Sequence, residues 1–227
     1  MKFIKYGIIS AIVIIAIISP YLYNIVLLSL HAEPNYNEQT SMKIKGYDIK
    51  RAIGSASMPY QIKVVKDQVI YTIRGEVVDI REPLIWLEKY PVAENGMIPV
   101  DIKVKEVYKG DIKSDSIITL YVGTIKDLPT EQQLADGVIV DNSTYILPYE
   151  AVYEIGEDVL VHVMHTTIDL VSVSEYIDEL LAKEYLEHKV YETALGKYGK
   201  YTIKDGLAYN ENYPYGVPII YVAYEAL

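Results

Sequence analysis

Four histidines, no cysteine and 31 acidic side chains define the chemistry open to this 227-residue chain. Without cysteine there is no thiolate nucleophile, no disulfide and no Cys-based zinc or iron–sulfur site. His162 and His165 bracket the stretch "HVMH". On a strand the period of two places His162 and Met164 on one face and His165 on the other, so the two histidines cannot chelate one ion without a bulge. Imidazole and thioether ligands suit copper. The candidate metal site is therefore His162 and Met164 joined by His188 from a following helix, with ordinary core or surface histidines as the competing assignment.

Other chemistries find less. No G-x-S-x-G elbow occurs, and the closely spaced serines fall in loops or at a helix cap, so nothing supplies an activated nucleophile with its base. Carboxylates are plentiful, but no spacing singles out a glycosidase-type pair. Glu150, Glu154, Glu157 and Asp158 gather near a turn and offer the oxygen ligands Ca²⁺ takes. They lack the ordered D-x-D-x-D-G loop and are expected to form a solvated acidic rim. Phosphate-binding signatures are missing, and "ALGKYGKY" reads as a turn before a strand. The expectation is a protein without catalytic residues or cofactor. Asn142-Ser143-Thr144 is an N-glycosylation sequon in an expected exposed loop.

Charge and composition narrow the partners. The net charge of −10 repels phosphate backbones and argues against nucleic acid. Tyrosine is abundant, with 23 residues against one Phe and one Trp. It suits half-buried strand surfaces and also surfaces that grip a partner. Lys2 and Lys5 precede an uncharged run over residues 6–30. As a helix that run would extend about 37 Å, enough for a hydrocarbon core of about 30 Å. It is expected to anchor the chain once in a membrane, with the lysines cytoplasmic and the rest extracytoplasmic. A cleaved signal peptide is the alternative, with residues 7–18 as its apolar core. Leu30 and Leu27 occupy positions where the small residues of a cleavage site belong.

The remainder must position whatever site exists. Residues 31–60 are polar, without a sustained period, and read as a tether. From 61 to 227 the pattern is mainly β. "QIKVVKDQVIYTIRGEVVDI" alternates, with Gly75 marking a bulge. Residues 83–97 read as an irregular connection turning at Asn95-Gly96. Two strands are expected over 98–108 and 116–123, another over 159–164, and a hairpin turning at Asp205-Gly206. One amphipathic helix spans about 173–188, opened by a Ser172/Glu175 capping box. The tail "VPIIYVAYEAL" reads as a closing strand.

Three stretches carry a resemblance: "IRGEVVDI" (73–80), "VDIKVKEVYKGD" (100–111) and "YEIGEDVLVHV" (153–163), followed by "GKYGKYTIKDG" ending at Gly206. Together they resemble the small OB-like β-barrels of exported proteins, including netrin-like modules related to tissue inhibitors of metalloproteinases. The resemblance implies an OB-like barrel in which Lys109-Gly110 forms a turn and Gly156-Glu157 opens an inner strand. The inhibitors' zinc-chelating N-terminal cysteine has no counterpart here, so that activity is not implied. The expected function is a membrane-anchored binding or assembly domain with a protein partner at the cell envelope. Two alternatives stay open: an accessory subunit of a larger membrane complex, or a copper-binding accessory protein.

Overall fold

The structure, a computed structural model, describes residues 41–44, 47–52, 62, 65–87, 93–127, 135–137, 144–166 and 189–226. In chain order its strands are β1 (Ser41–Ile44), β2 (Tyr47–Arg51), β3 (Tyr71–Ile80), β4 (Leu84–Leu87), β5 (Ala93–Lys109) and β6 (Ile117–Asp127). They continue as β7 (Thr144–Ile146), β8 (Asp158–His165), β9 (Tyr191–Thr193), β10 (Lys200–Lys204), β11 (Leu207–Asn210) and β12 (Tyr213–Pro218). A 3₁₀ turn covers Gly196–Tyr198, and one short helix, α1 (Ile219–Ala223), follows β12.

Five strands close on themselves. β3 pairs antiparallel with β5, and β5 with β6. On the other side β3 pairs with β8, and β8 with β9. β9 then meets β6 in parallel at Leu120↔Tyr191 and closes the ring. Taken in chain order, the neighbours run first, second, third, fifth, fourth, which is compatible with an OB-like barrel. Alternation explains the filling. Val100, Ile102 and Val104 of β5 are fully buried, while the alternating Lys103 and Lys105 face solvent.

Gly75 sits where the register between β3 and β5 shifts. A Cβ there would lie 2.5 Å from both the Lys103 carbonyl oxygen and Ile102 Cγ2. Backbone cannot yield as a side-chain tip does. Gly75→Val is therefore expected to cost more than about 3 kcal/mol, read as a fall of about 6 °C or more in melting temperature. An unchanged melting temperature would show that the bulge tolerates a side chain.

Three expectations are corrected. Residues 41–51 are not tether: β1 and β2 form a hairpin, and β2 lies parallel to β7, which pairs with β6. Met42, Ile44 and Ile49 are buried in the core there. Each of these strands is too short for its alternation to stand out from polar flanks. Within the connection at 83–97, β4 pairs with Glu94–Met97 of β5, so Asn95 and Gly96 lie inside a strand rather than at a turn. The tail does not close the sheet as a strand. After Pro218 it turns into α1, burying Val222, Ala223 and Ala226 and exposing Ile220, Tyr221 and Tyr224. A short apolar run fits strand and helix equally, and packing chose.

The Asp205-Gly206 turn is as expected. Both residues take positive φ, at 52° and 78°, and join β10 to β11. Residues 6–30, Asn142, the 173–188 helix and His188 lie outside the described residues. Among the described residues no helix is long and apolar enough to cross a membrane.

Candidate functional site

Where β9 meets β6, the barrel is closed among the described residues by the single pair Leu120↔Tyr191. β6 is paired with β5 from Ile117 onward, through Lys103↔Ile117, Ile102↔Ile118 and Asp101↔Thr119. On its other side the first strand partner among the described residues comes only at Leu120. Alternate backbone groups of residues 117–119 thus face outward with no ladder to the described strands. Beside this edge lies an open groove of about 450 Å³. Tyr71, at the start of β3, and Tyr191, at the start of β9, line it together with Ile112, Ile118, Lys113 and Lys189. Asp111, Ser116, Ile117 and Thr119 also line it.

Local sequence shapes the groove. Gly110 takes a φ of +92° directly against Tyr71, where a Cβ would collide with the Tyr71 ring and the Ile70 carbonyl. Only glycine lets the loop after β5 fold back onto that ring. The loop is then closed by Ser116, whose hydroxyl donates to the Lys113 carbonyl at 2.6 Å. Thr119 donates to Asp101 at 2.7 Å, and Arg81 bonds both residues. That network fixes the far end of the wall.

The floor is aromatic. Tyr71 and Tyr191 meet edge to face, with ring centroids 5.7 Å apart, and His165 stacks on Tyr191 at 5.4 Å. Burial pushes the Tyr191 phenol up to about 12, and the Tyr71 hydrogen bond and Asp111 add to it. Tyr191 therefore stays neutral and able to donate at physiological pH. Ile117 is 61% exposed at the rim, an unusual position for a large aliphatic side chain. This chemistry grips apolar and hydrogen-bonding groups.

Two of the expected metal ligands, His162 and Met164, lie elsewhere. His162 is fully buried; its Nδ1 bonds the Thr72 hydroxyl at 3.0 Å, and its ring meets Tyr201 edge to face at 5.8 Å. Burial, helped by the nearby Lys109 ammonium, pulls its pKa down to about 3. Met164 shares that strand face but packs in an apolar cluster with Val69, Ala194 and Leu195. Among the described residues no three His, Asp or Glu gather as a metal would require.

The acidic cluster is neither a common site nor a solvated rim. Glu157 is buried against Lys200, with nitrogen–oxygen distances of 2.7 Å, and also accepts the Thr202 hydroxyl. Asp158 pairs with Arg74 at 2.8 Å and with Lys105 at 3.7 Å. Glu150 is half-buried as a residue, but its carboxyl is enclosed beneath Gly123, and only Glu154 is exposed. Cations distant in sequence reach Glu157 and Asp158 and separate them.

A second apolar exposure lies at the opposite end of the sheet order. Tyr215, Ile220, Tyr221 and Tyr224 are 46–62% exposed around β12 and α1. β12 is an edge strand, yet Pro214, Pro218 and the positive φ of Gly216 make it a poor template for another strand. Sequence reasoning misses the groove residues because no motif joins them; the one signal is a lysine-bearing loop beside an isoleucine.

The fold and groove define a closed five-strand β-barrel with extra strands and an aromatic groove beside its closing strand. No protein-family model, no curated protein and no solved structure matches the chain.

Proposed function

We propose that this chain is a non-catalytic binding or assembly domain, held at the outer face of a membrane by residues 6–30, that receives a protein partner in the Tyr71–Tyr191 groove. The barrel is taken to be of the OB-like, netrin-like kind, on the strength of the three stretches that resemble it. The observation that carries the binding role is the preformed aromatic groove of Tyr71 and Tyr191, lying beside residues 117–119, which have no second strand partner among the described residues. Preformed apolar concavities with a few convergent polar groups are where ligands bind. The exposed patch of Tyr215, Ile220, Tyr221 and Tyr224 favours a second possibility, membership of a larger membrane complex through that face.

Affinity purification of the full-length, detergent-extracted protein separates these. Ile117→Glu places a charge on the groove rim at an exposed position, and Tyr221→Glu does the same on the patch. Loss of one central apolar anchor typically costs about 2 kcal/mol, or more than tenfold in affinity. Partner recovery is expected to fall about tenfold with Ile117→Glu and to survive Tyr221→Glu. The reverse pattern would assign the contact to the patch. Full recovery with both variants would end the binding role of either surface.

A further inference from the structure

We infer that Tyr215, Ile220, Tyr221 and Tyr224 form a second membrane contact, which lays the barrel against a zwitterionic lipid surface through β12 and α1. This rests on the anchoring proposed for residues 6–30. Residues 212–224 carry no charged side chain, although the whole chain has a net charge of −10. Their exposed members are three tyrosines and one isoleucine. These types suit a headgroup boundary, where the apolar body is covered and the phenol hydroxyl stays wet. Two of the rings are braced from behind. Tyr221 meets Tyr213 edge to face at 6.1 Å, and Tyr224 meets Tyr108 in the same way at 6.1 Å. With Pro214 and Pro218 stiffening the approach to α1, the patch loses little freedom on contact.

The length of chain between anchor and barrel keeps the two together. Ten residues, 31–40, separate the uncharged run from Ser41, and ten residues reach at most about 36 Å. A compact domain of this size has a radius of gyration of about 16 Å, so much of its surface stays within reach of the bilayer. A contact held that close is effectively intramolecular, and a small patch then suffices. Charge selects both the face and the lipid. An acidic chain is repelled by anionic headgroups, and residues 212–224 offer no lysine or arginine to draw it to them. The charges around the patch are balanced. Leu207 pairs with Pro218, so the turn beside α1 brings one charge of each sign, Lys204 and Asp205. Glu211 pairs with Lys197 at 2.6 Å, and Glu225 accepts the Tyr201 hydroxyl at 3.1 Å. The prolines that blunt β12 as a template for a protein strand leave its lipid contact untouched, which favours lipid on this face.

The chain has no cysteine, so a single introduced thiol can be labelled alone. Full-length Tyr215→Cys protein carrying a nitrobenzoxadiazole dye is reconstituted in phosphatidylcholine vesicles that contain a lipid nitroxide near the headgroup end of the acyl chain. The reference is Val78→Cys, an exposed position at the far end of β3 from Thr72, which pairs with Lys109 beside Ala226. The dye at 215 is expected to be quenched at least about twofold, since an interfacial patch sits about 5–10 Å into the headgroup boundary. The dye at 78 is expected to stay bright. Ile220→Glu/Tyr221→Glu changes two exposed positions and is expected to abolish quenching at 215. Raising salt from about 50 mM to about 500 mM is expected to leave the quenching unchanged, because no charge carries it. No quenching at 215, equal quenching at 78, quenching that survives the double variant, or quenching that needs phosphatidylserine each overturns the inference. Flotation with the vesicles is read on the same samples. Protein that floats with position 215 unquenched keeps its anchor and loses only the second contact. Protein that does not float removes the anchor and this inference with it. If position 215 is unquenched and Tyr221→Glu removes partner recovery, the face belongs to a protein partner instead.

Discussion

Lys200→Met is expected to destabilise the barrel by about 3–5 kcal/mol, because it strands a buried carboxylate. The Lys200 ammonium contacts both oxygens of Glu157, donates to the Val152 carbonyl and lies 5.0 Å above the Tyr153 ring. Both side chains are nearly closed to water, at 8% and 7% exposure. Burial pulls the ammonium's pKa down from its ordinary value, and Glu157 opposes that pull. Two charges so enclosed are held by each other. Losing the lysine leaves the carboxylate with neutral donors, the Thr202 hydroxyl and the Glu154 amide. Removing both charges is a different matter. Lys200→Met/Glu157→Leu is expected to recover most of the loss, since an apolar pair of similar volume avoids the desolvation cost entirely. Thermal unfolding of the three proteins decides. A single variant as stable as the parent would mean that water reaches the site in solution.

The second large effect depends on pH. The enclosed Glu150 carboxyl is raised from 4.5 to about 8, first by burial and then by the Glu192 carboxylate. A Gly123 backbone hydrogen bond and the Arg51 charge pull weakly the other way. A raised carboxyl binds its proton more tightly in the folded chain. Its contribution to stability is thus full below pH 4.5 and is lost as pH rises through about 8. Glu150→Gln keeps the hydrogen-bond acceptor and removes the charge. It is expected to raise stability at pH 8 by roughly 2–4 kcal/mol and to flatten the alkaline fall.

His162 acts in the opposite sense. Its folded pKa of about 3 lies below the ordinary 6.5. Its contribution is full above pH 6.5 and is lost as pH falls through 3, when the unfolded chain takes up the proton first. The parent protein should therefore be most stable between these two slopes, near pH 5–6 by order of magnitude. Chemical denaturation from about pH 4 to about pH 9 tests both. A Glu150→Gln profile that still falls between pH 4.5 and 8 would assign the slope to another group.

Much of the barrel is legible in the order of residues. β3 and the middle of β5 alternate over enough residues for one buried face to be unmistakable, β6 and β8 are legible as apolar runs buried on both faces, and Asp205-Gly206 announces its turn through φ values that other residues avoid. The short strands β1, β2 and β4 are not legible, because four or five residues do not establish a period. The tail misleads for a related reason: its apolar residues satisfy either period, and only contact with the core separates them.

The polar assignments show a deeper divide. Residue content and spacing exclude cysteine chemistry, disfavour nucleic acid and place His162 and Met164 on one strand face. They do not show that His162 bonds Thr72 across 90 residues of chain, or that Glu157 is buried against Lys200 43 residues away. Nor do they bring Tyr71 to Tyr191 or Lys113 to Lys189. Residue types and their periods act over a few neighbours and are written in the order of the chain. Burial, charge pairing and the shape of a groove depend on which strands close the barrel, and that closure is a property of the whole fold.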